Sequence, residues 1–283
     1  MNYIITGADG LIGTFLKEKL NKKHKCVMSI DQRSGFNILD LGAVKLNPVT
    51  QHTDIVYHLA AHCKINEAIE TPSLPHMNNS DGTFMLLEFC RKNGIKKVVN
   101  FSSSRVLSEE ENPYTASKKY GENLMRAYYK CYGIEYITVR PSTVYGPIHD
   151  VTSRLLTTWC QNALQGKQLK IFGDENKTLD FTYVSDFIDA IELLTDSWEK
   201  TKNQEYNISG DNEVKLRDIV DMIGEHVEDI KFDYYPAEIA QPQKVHVDTE
   251  KMKKLGYQPK VKIKEGISKM MDFYKHREST NEK

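Results

Sequence analysis

The 283-residue sequence has no Cys-x-x-Cys pair, no long apolar run and no block of one charge sign. Its five cysteines, Cys26, Cys63, Cys90, Cys131 and Cys160, are odd in number and far apart, which excludes a disulfide framework and a cysteine zinc site. No apolar stretch approaches the roughly 20 residues that cross a bilayer. With 38 Lys and Arg interspersed among 39 Asp and Glu, the formal net charge is -1, so the chain lacks the basic footprint of a nucleic-acid or membrane-surface protein. Repeats and low-complexity tracts are missing too, and only the Glu-, Lys- and Asn-rich residues after His276 read as frayed. The chain opens directly into the strand-like Asn2-Tyr3-Ile4-Ile5, which leaves no room for a signal core or transit peptide and makes the cytoplasm the expected location. The sequons at Asn78 and Asn176 are then accidental.

What is present is an alternation. Short β-branched runs, Tyr3 to Thr6, Cys26 to Ile30, Ile55 to Leu59, Val98 to Ser102 and Tyr136 to Val139, read as strands buried on both faces. Between them lie helical patterns: Leu11, Ile12, Phe15, Leu16 and Leu20; Phe84, Leu87 and Phe89, stopping at Asn93-Gly94; and Tyr114 to Tyr132, stopping at Gly133. Such alternation predicts an α/β fold, a doubly wound parallel sheet of the Rossmann kind. After Gly146 the rhythm loosens, with strand candidates at Leu169 to Phe172 and Tyr206 to Ile208 and prolines at 236 and 242. The expected organisation is a dinucleotide-binding domain at 1–146 and a smaller, interleaved substrate lobe at 147–283, from which about 178–196 returns to the first domain.

Gly7-Ala8-Asp9-Gly10-Leu11-Ile12-Gly13 follows the first strand and opens the first helix, the context that a dinucleotide loop requires. Gly7 permits the tight turn, Gly10 lets backbone approach a diphosphate, and Gly13 lets the helix pack closely, with the diphosphate at a helix N-terminus. Asp31, ending the second strand, suits the adenosine ribose and repels a 2'-phosphate, which favours NAD over NADP; Arg33 is the residue that could reverse this. Tyr114 and Lys118 are one helical turn apart and share a face. An ammonium within ~4–6 Å lowers a phenol's pKa by roughly one to three units, enough to let it exchange a proton with a substrate hydroxyl.

With these motifs in view the chain resembles the extended short-chain dehydrogenase/reductase family, in particular its nucleotide-sugar epimerases and dehydratases. Further matches run in family order: His58-Leu59-Ala60-Ala61, Asn79-Ser80-Asp81-Gly82-Thr83, Phe101-Ser102-Ser103-Ser104, Arg140 to Pro147, and Asp180 to Asp186. The resemblance implies that Ser103, three residues before Val106, is the catalytic hydroxyl beside Tyr114 and Lys118, with Ser102 and Ser104 as rivals. It implies NAD contacts at Gly7, Asp9, Gly10, Leu11, Ile12, Gly13, Asp31, Gln32, Asp40, Leu41, Leu59, Ala60, Ala61, Asn79, Tyr114, Lys118, Pro141 and Val144. Substrate contacts are implied at Ser103, Ser104, Arg105 and Thr143, and no metal. It also implies a homodimer joined through helices at Asp81 to Arg91 and Tyr114 to Tyr132.

Two departures narrow the chemistry. Family dehydratases follow the active hydroxyl with acidic residues, and 3,5-epimerases place a cysteine nearby, but this chain has Ser104 and Arg105. Hydride transfer at a single carbon remains, which predicts an NAD-dependent nucleotide-sugar epimerase acting at C4; a keto-sugar reductase and a non-enzymatic NAD sensor are the alternatives. The residues by which the family holds a substrate diphosphate are replaced by Thr143, Leu179 and Gln241, leaving Arg105, Arg154, Lys177 and Lys244 as available cations.

Overall fold

The computed structural model describes residues 1–44, 52–148, 154–174, 177–211, 213–240 and 247–281, with side chains to 277; Asn176, Gln241, Pro242 and Lys244 lie outside the described residues. Eleven strands can be numbered among the described residues: β1 Asn2–Thr6, β2 Lys25–Ile30, β3 Ile55–His58, β4 Lys97–Phe101, β5 Glu135–Pro141, β6 Thr143–Tyr145, β7 Leu169–Phe172, β8 Thr178–Tyr183, β9 Gln204–Ile208, β10 Glu213–Lys215 and β11 Phe232–Tyr235. A six-stranded, all-parallel sheet runs in the order β2-β1-β3-β4-β5-β9. Winding reverses direction between β1 and β3, so a crevice opens there at the carboxyl ends of the strands.

The central strands are apolar because helices cover both faces. Ile4, Ile5, Val56, Val98, Ile137 and Val139 are all fully or almost fully buried. Two core layers result: Tyr3, Ile5, Tyr57, Val99 and Val139 pack with helices Leu11–Leu20 and Val184–Asp196, while Ile4, Val56 and Val98 pack with Leu86, Leu87, Met125 and Tyr128. Helix Pro113–Tyr132 has sharp ends. The Asn112 side chain accepts from the Thr115 amide at 2.9 Å, Pro113 occupies the first turn, and Gly133 closes the helix at φ 66°.

Helix Val184–Asp196 docks on helix Leu11–Leu20 through ion pairs from Lys19 to Asp189 and Glu192. The strand preceding it, β8, pairs with β6 and β10 in a separate three-stranded sheet; the late segment that joins the main sheet is β9. A third sheet pairs β7 with β11. Helix Ile263–Asn281 closes the molecule against Tyr145, whose ring would overlap any Cβ at Gly266. Among the described residues no helix is long and apolar enough to cross a membrane.

Candidate active site

One cleft of about 1530 Å³ runs along the carboxyl ends of the main sheet. Its floor at one end is the loop between β1 and the first helix, lined by Gly7, Gly10, Leu11, Ile12 and Gly13. The three loop glycines are glycine for different reasons. Gly7 sits at φ +68°, and a Cβ there would come within 2.8 Å of the Leu59–Ala60 backbone. At Gly13 a Cβ would lie 2.2 Å from the Gly7 carbonyl, so this residue is fixed by contact with the loop's own backbone. Gly10 is under no such constraint: its φ is -77° and the nearest atom to a Cβ is 3.5 Å away. The protein's own packing does not demand glycine at that position, whereas a ligand resting on the loop would. The residues present therefore fit a dinucleotide, whose diphosphate would meet the free N–H groups of the helix start.

Asp31 ties this end together. One carboxylate oxygen accepts from the Asp9 amide and the other from the Arg33 amide, each at 2.9 Å. Arg33 donates to the Asp9 carbonyl at 2.7 Å, and the Asp9 carboxylate accepts from Ser34, so Arg33 is held by the loop as well as lining the cleft. Gln32, Leu59, Ala60, Ala61, Pro141, Thr143 and Val144 also line the cleft. Asp40 and Leu41 do not. Residues Ile38–Ala43 form a 3-10 helix that turns Asp40 to solvent and Leu41 into the core, and Ile38 and Leu39 face the cleft instead.

Asn79 stands one layer behind. Its side chain accepts from the His62 amide at 2.7 Å and donates to the His62 carbonyl and to the Ser117 hydroxyl, which donates to the Tyr114 carbonyl. Behind it again, the buried His58 ring bridges the hydroxyls of Thr6 at 3.0 Å and Thr83 at 2.9 Å, and Thr83 donates to the Asn79 carbonyl. A continuous polar chain thus runs from the strand before the glycine loop to the helix that carries Tyr114 and Lys118. Burial, with the Lys118 charge as a second cause, pushes the His58 imidazole down to about 3.

The three catalytic candidates share the cleft: Ser103, Tyr114 and Lys118 all line it. Geometry separates the three serines. The Ser102 hydroxyl donates to Glu122 at 2.6 Å, and Glu122 is clamped by Arg140 in a buried fork. Ser103 instead lines the cleft and acts to lower the Tyr114 phenol, and Ser104 faces the cleft from the following 3-10 turn. Burial raises the phenol to about 12, against lowering by the Ser103 hydroxyl and then by the Arg105 and Arg154 charges. Lys118 donates to the Phe101 carbonyl at 2.8 Å, and burial brings its ammonium down to about 8. The charges that lower the phenol are thus two arginines, where spacing on the helix pointed to Lys118.

No motif signals Asn66, Thr158, Asn162 or Glu238, which also line the cleft. They arrive from elements distant in sequence, and no local spacing marks them. Among the described residues no cluster of His, Cys, Asp and Glu could hold a metal ion.

Residues 3–209 match the NAD dependent epimerase/dehydratase family. The chain is 28% identical to the putative UDP-glucose 4-epimerase of Methanocaldococcus jannaschii, over 98% of this chain and 99% of that one. It is 26% identical to the UDP-glucuronate 4-epimerase of Thermodesulfobacterium geofontis, over 96% of each. Its fold superimposes on the UDP-glucuronic acid 4-epimerase of Bacillus cereus, solved with UDP-glucuronic acid and NAD, with a TM-score of 0.86 and 25% identity over 98% of this chain and all of the other. The UDP-glucose 4-epimerase of Thermotoga maritima gives a TM-score of 0.89 at 24% identity, covering 98% and 99%. A glycine loop, an acid at the end of β2 and a buried tyrosine one turn from a lysine stand on one cleft, within a sequence match spanning most of the chain: this protein belongs to the NAD dependent epimerase/dehydratase family.

Proposed function

We propose that the protein is an epimerase that inverts C4 of a nucleotide sugar, working in the cytoplasm as a homodimer. The observation that carries this reading is the content of the cleft around Ser103: Tyr114 and Lys118 are present, and the two positions after the serine are Ser104 and Arg105, neither of which is an acid suited to water elimination. Residues 1–146, with helix Val184–Asp196 packed back on Leu11–Leu20, hold the dinucleotide, and most of 147–283 holds the sugar nucleotide.

Bound NAD supplies reversible hydride acceptance. Glycines 7, 10 and 13 and Asp31 hold and orient it, with Leu59, Ala60, Ala61, Pro141 and Val144 walling its middle. Ser103 orients the C4 hydroxyl and Tyr114 takes its proton, then returns it after the sugar has turned in the cleft. A phenol held at about 12 stays protonated at neutral pH, so the positive charge of Arg105 and Arg154 favours the phenolate when the proton moves. Thr143 and Ser104 contact the sugar.

Incubation of purified protein with NAD and UDP-glucose or UDP-glucuronate, followed by proton NMR, should show inversion at C4 with no accumulation of reduced nicotinamide. A strict requirement for NADPH with stoichiometric consumption would establish a reductase and reject the proposal. The dimer reading is supported by Phe84, Tyr120, Tyr129 and Tyr132, each at least 40% exposed on helices Gly82–Lys92 and Pro113–Tyr132. Light scattering at micromolar concentration checks it.

A further inference from the structure

Around the Tyr114 phenol the cleft carries fixed positive charge. Arg105 and Arg154 both act on the phenol, and Arg105 acts in turn on Lys177, a lysine with only 8% of its surface exposed. Of the carboxylates that act on Arg105, Glu238 lines the cleft and already accepts from Asn66, while Glu110 is exposed and bonded to Ser108. Arg105 is the most telling of the three cations. Its amide is fixed by the Ser103 hydroxyl at 3.2 Å, its side chain faces the cleft, and its Nη1 nitrogen is sealed from solvent with no hydrogen-bond partner among the described residues. A buried guanidinium donor left without an acceptor is costly, and a planar carboxylate is the group that best meets its fork.

Position within the sugar decides what that acceptor is. If Tyr114 and Ser103 act on the C4 hydroxyl, the groups beside them are the substituents of C3 and C5. The diphosphate on C1 leaves from the far side of the ring. We propose that the substrate is a nucleotide-linked uronic acid, and that Arg105 binds the carboxylate on C5, with Lys177 adding positive charge from the residue before β8. This rests on the C4-epimerase reading above and specifies the sugar class within it. Arg105 would then decide specificity, since a neutral hydroxymethyl group leaves its fork incompletely bonded.

The test compares UDP-glucuronate with UDP-glucose on the NAD-loaded protein, wild type and Arg105→Gln. The wild type should show kcat/KM at least tenfold higher for the uronate, and Arg105→Gln should reduce that ratio at least tenfold. A wild-type preference for UDP-glucose overturns the inference while leaving the epimerase reading intact. So does an equal loss of both substrates in Arg105→Gln with the pH profile moved upward, which would mean that the arginine only tunes the phenol. Failure of the wild type to invert either sugar overturns the epimerase reading and this inference with it. Should Arg105→Gln not fold, the wild-type preference decides alone.

Discussion

At the dinucleotide end of the cleft the charged groups are bound to the protein itself, whereas at the sugar end Arg105 presents a donor to the cleft. Both Asp31 oxygens accept backbone amides, Asp9 is engaged through its amide, carbonyl and carboxylate, and Arg33 donates to the loop it borders. Arg105, by contrast, keeps a sealed nitrogen without an acceptor, and Lys177 is buried under the influence of another cation. The first arrangement is rigid without a ligand, and it suits a group that stays in place through every turnover. The second keeps a donor in reserve at Arg105, which suits a group that is exchanged. Preorganisation therefore lies with the cofactor and selectivity with the substrate.

The largest expected effect tests whether the two ends meet in chemistry at all. Tyr114→Phe removes the proton carrier while keeping the ring packing, and kcat for epimerisation should fall by about 10²–10⁴ with NAD affinity nearly unchanged. Retained turnover in that variant would mean that Tyr114 does not carry the proton. Next come the glycines of the preorganised end. Gly13→Ala forces a methyl group against the Gly7 carbonyl and should cost about 1–3 kcal/mol of stability in a denaturant titration. Gly10→Ala meets nothing closer than 3.5 Å, so the melting curve should stay close to wild type while NAD binding, followed by calorimetry, weakens roughly tenfold, about 1.4 kcal/mol. If Gly10→Ala unfolded as readily as Gly13→Ala, the loop's shape would be structural throughout and its fit to a diphosphate incidental.

The preorganised end was also the legible one. Gly7, Gly10, Gly13 and Asp31 lie within one strand-helix-strand stretch, and Tyr114 and Lys118 within one helical turn, so local spacing identifies them. Spacing does not reveal what a side chain reaches. Lys118 donates to the Phe101 carbonyl, and Ser102, equal to Ser103 in sequence, is committed to Glu122. The Asn37 to Leu41 segment turned at Leu39 and not at Asp40, because a 3-10 helix shifts which residue faces inward. Strand pairing was the harder part. Thr178–Tyr183 and Gln204–Ile208 carry similar alternation, yet the first enters the small sheet and the second the main one, a choice made by partners distant in the chain. The sugar end is assembled from such returns, with Asn66, Asn162, Lys177 and Glu238 coming from four separate segments.

The smallest effect concerns the polar chain behind the cleft and is read in stability. Burial keeps the His58 ring neutral, and a neutral ring bridges Thr6 and Thr83 with one nitrogen donating and the other accepting. Its imidazole is held at about 3 when folded, against an ordinary value near 6.5 in the unfolded chain. Between those values the unfolded state binds the proton that the folded state refuses. The stabilisation is therefore complete above pH 6.5 and lost as pH falls toward 3, at up to about 1.4 kcal/mol per pH unit. His58→Gln can bridge the same hydroxyls without titrating, so its denaturation midpoint should fall less steeply from pH 7 to 4 than that of the wild type. Parallel acid limbs in the two proteins would mean that the ring is not what makes the protein acid-labile, and the loss would then belong to carboxylates held below their ordinary range, such as Glu192 with Lys23.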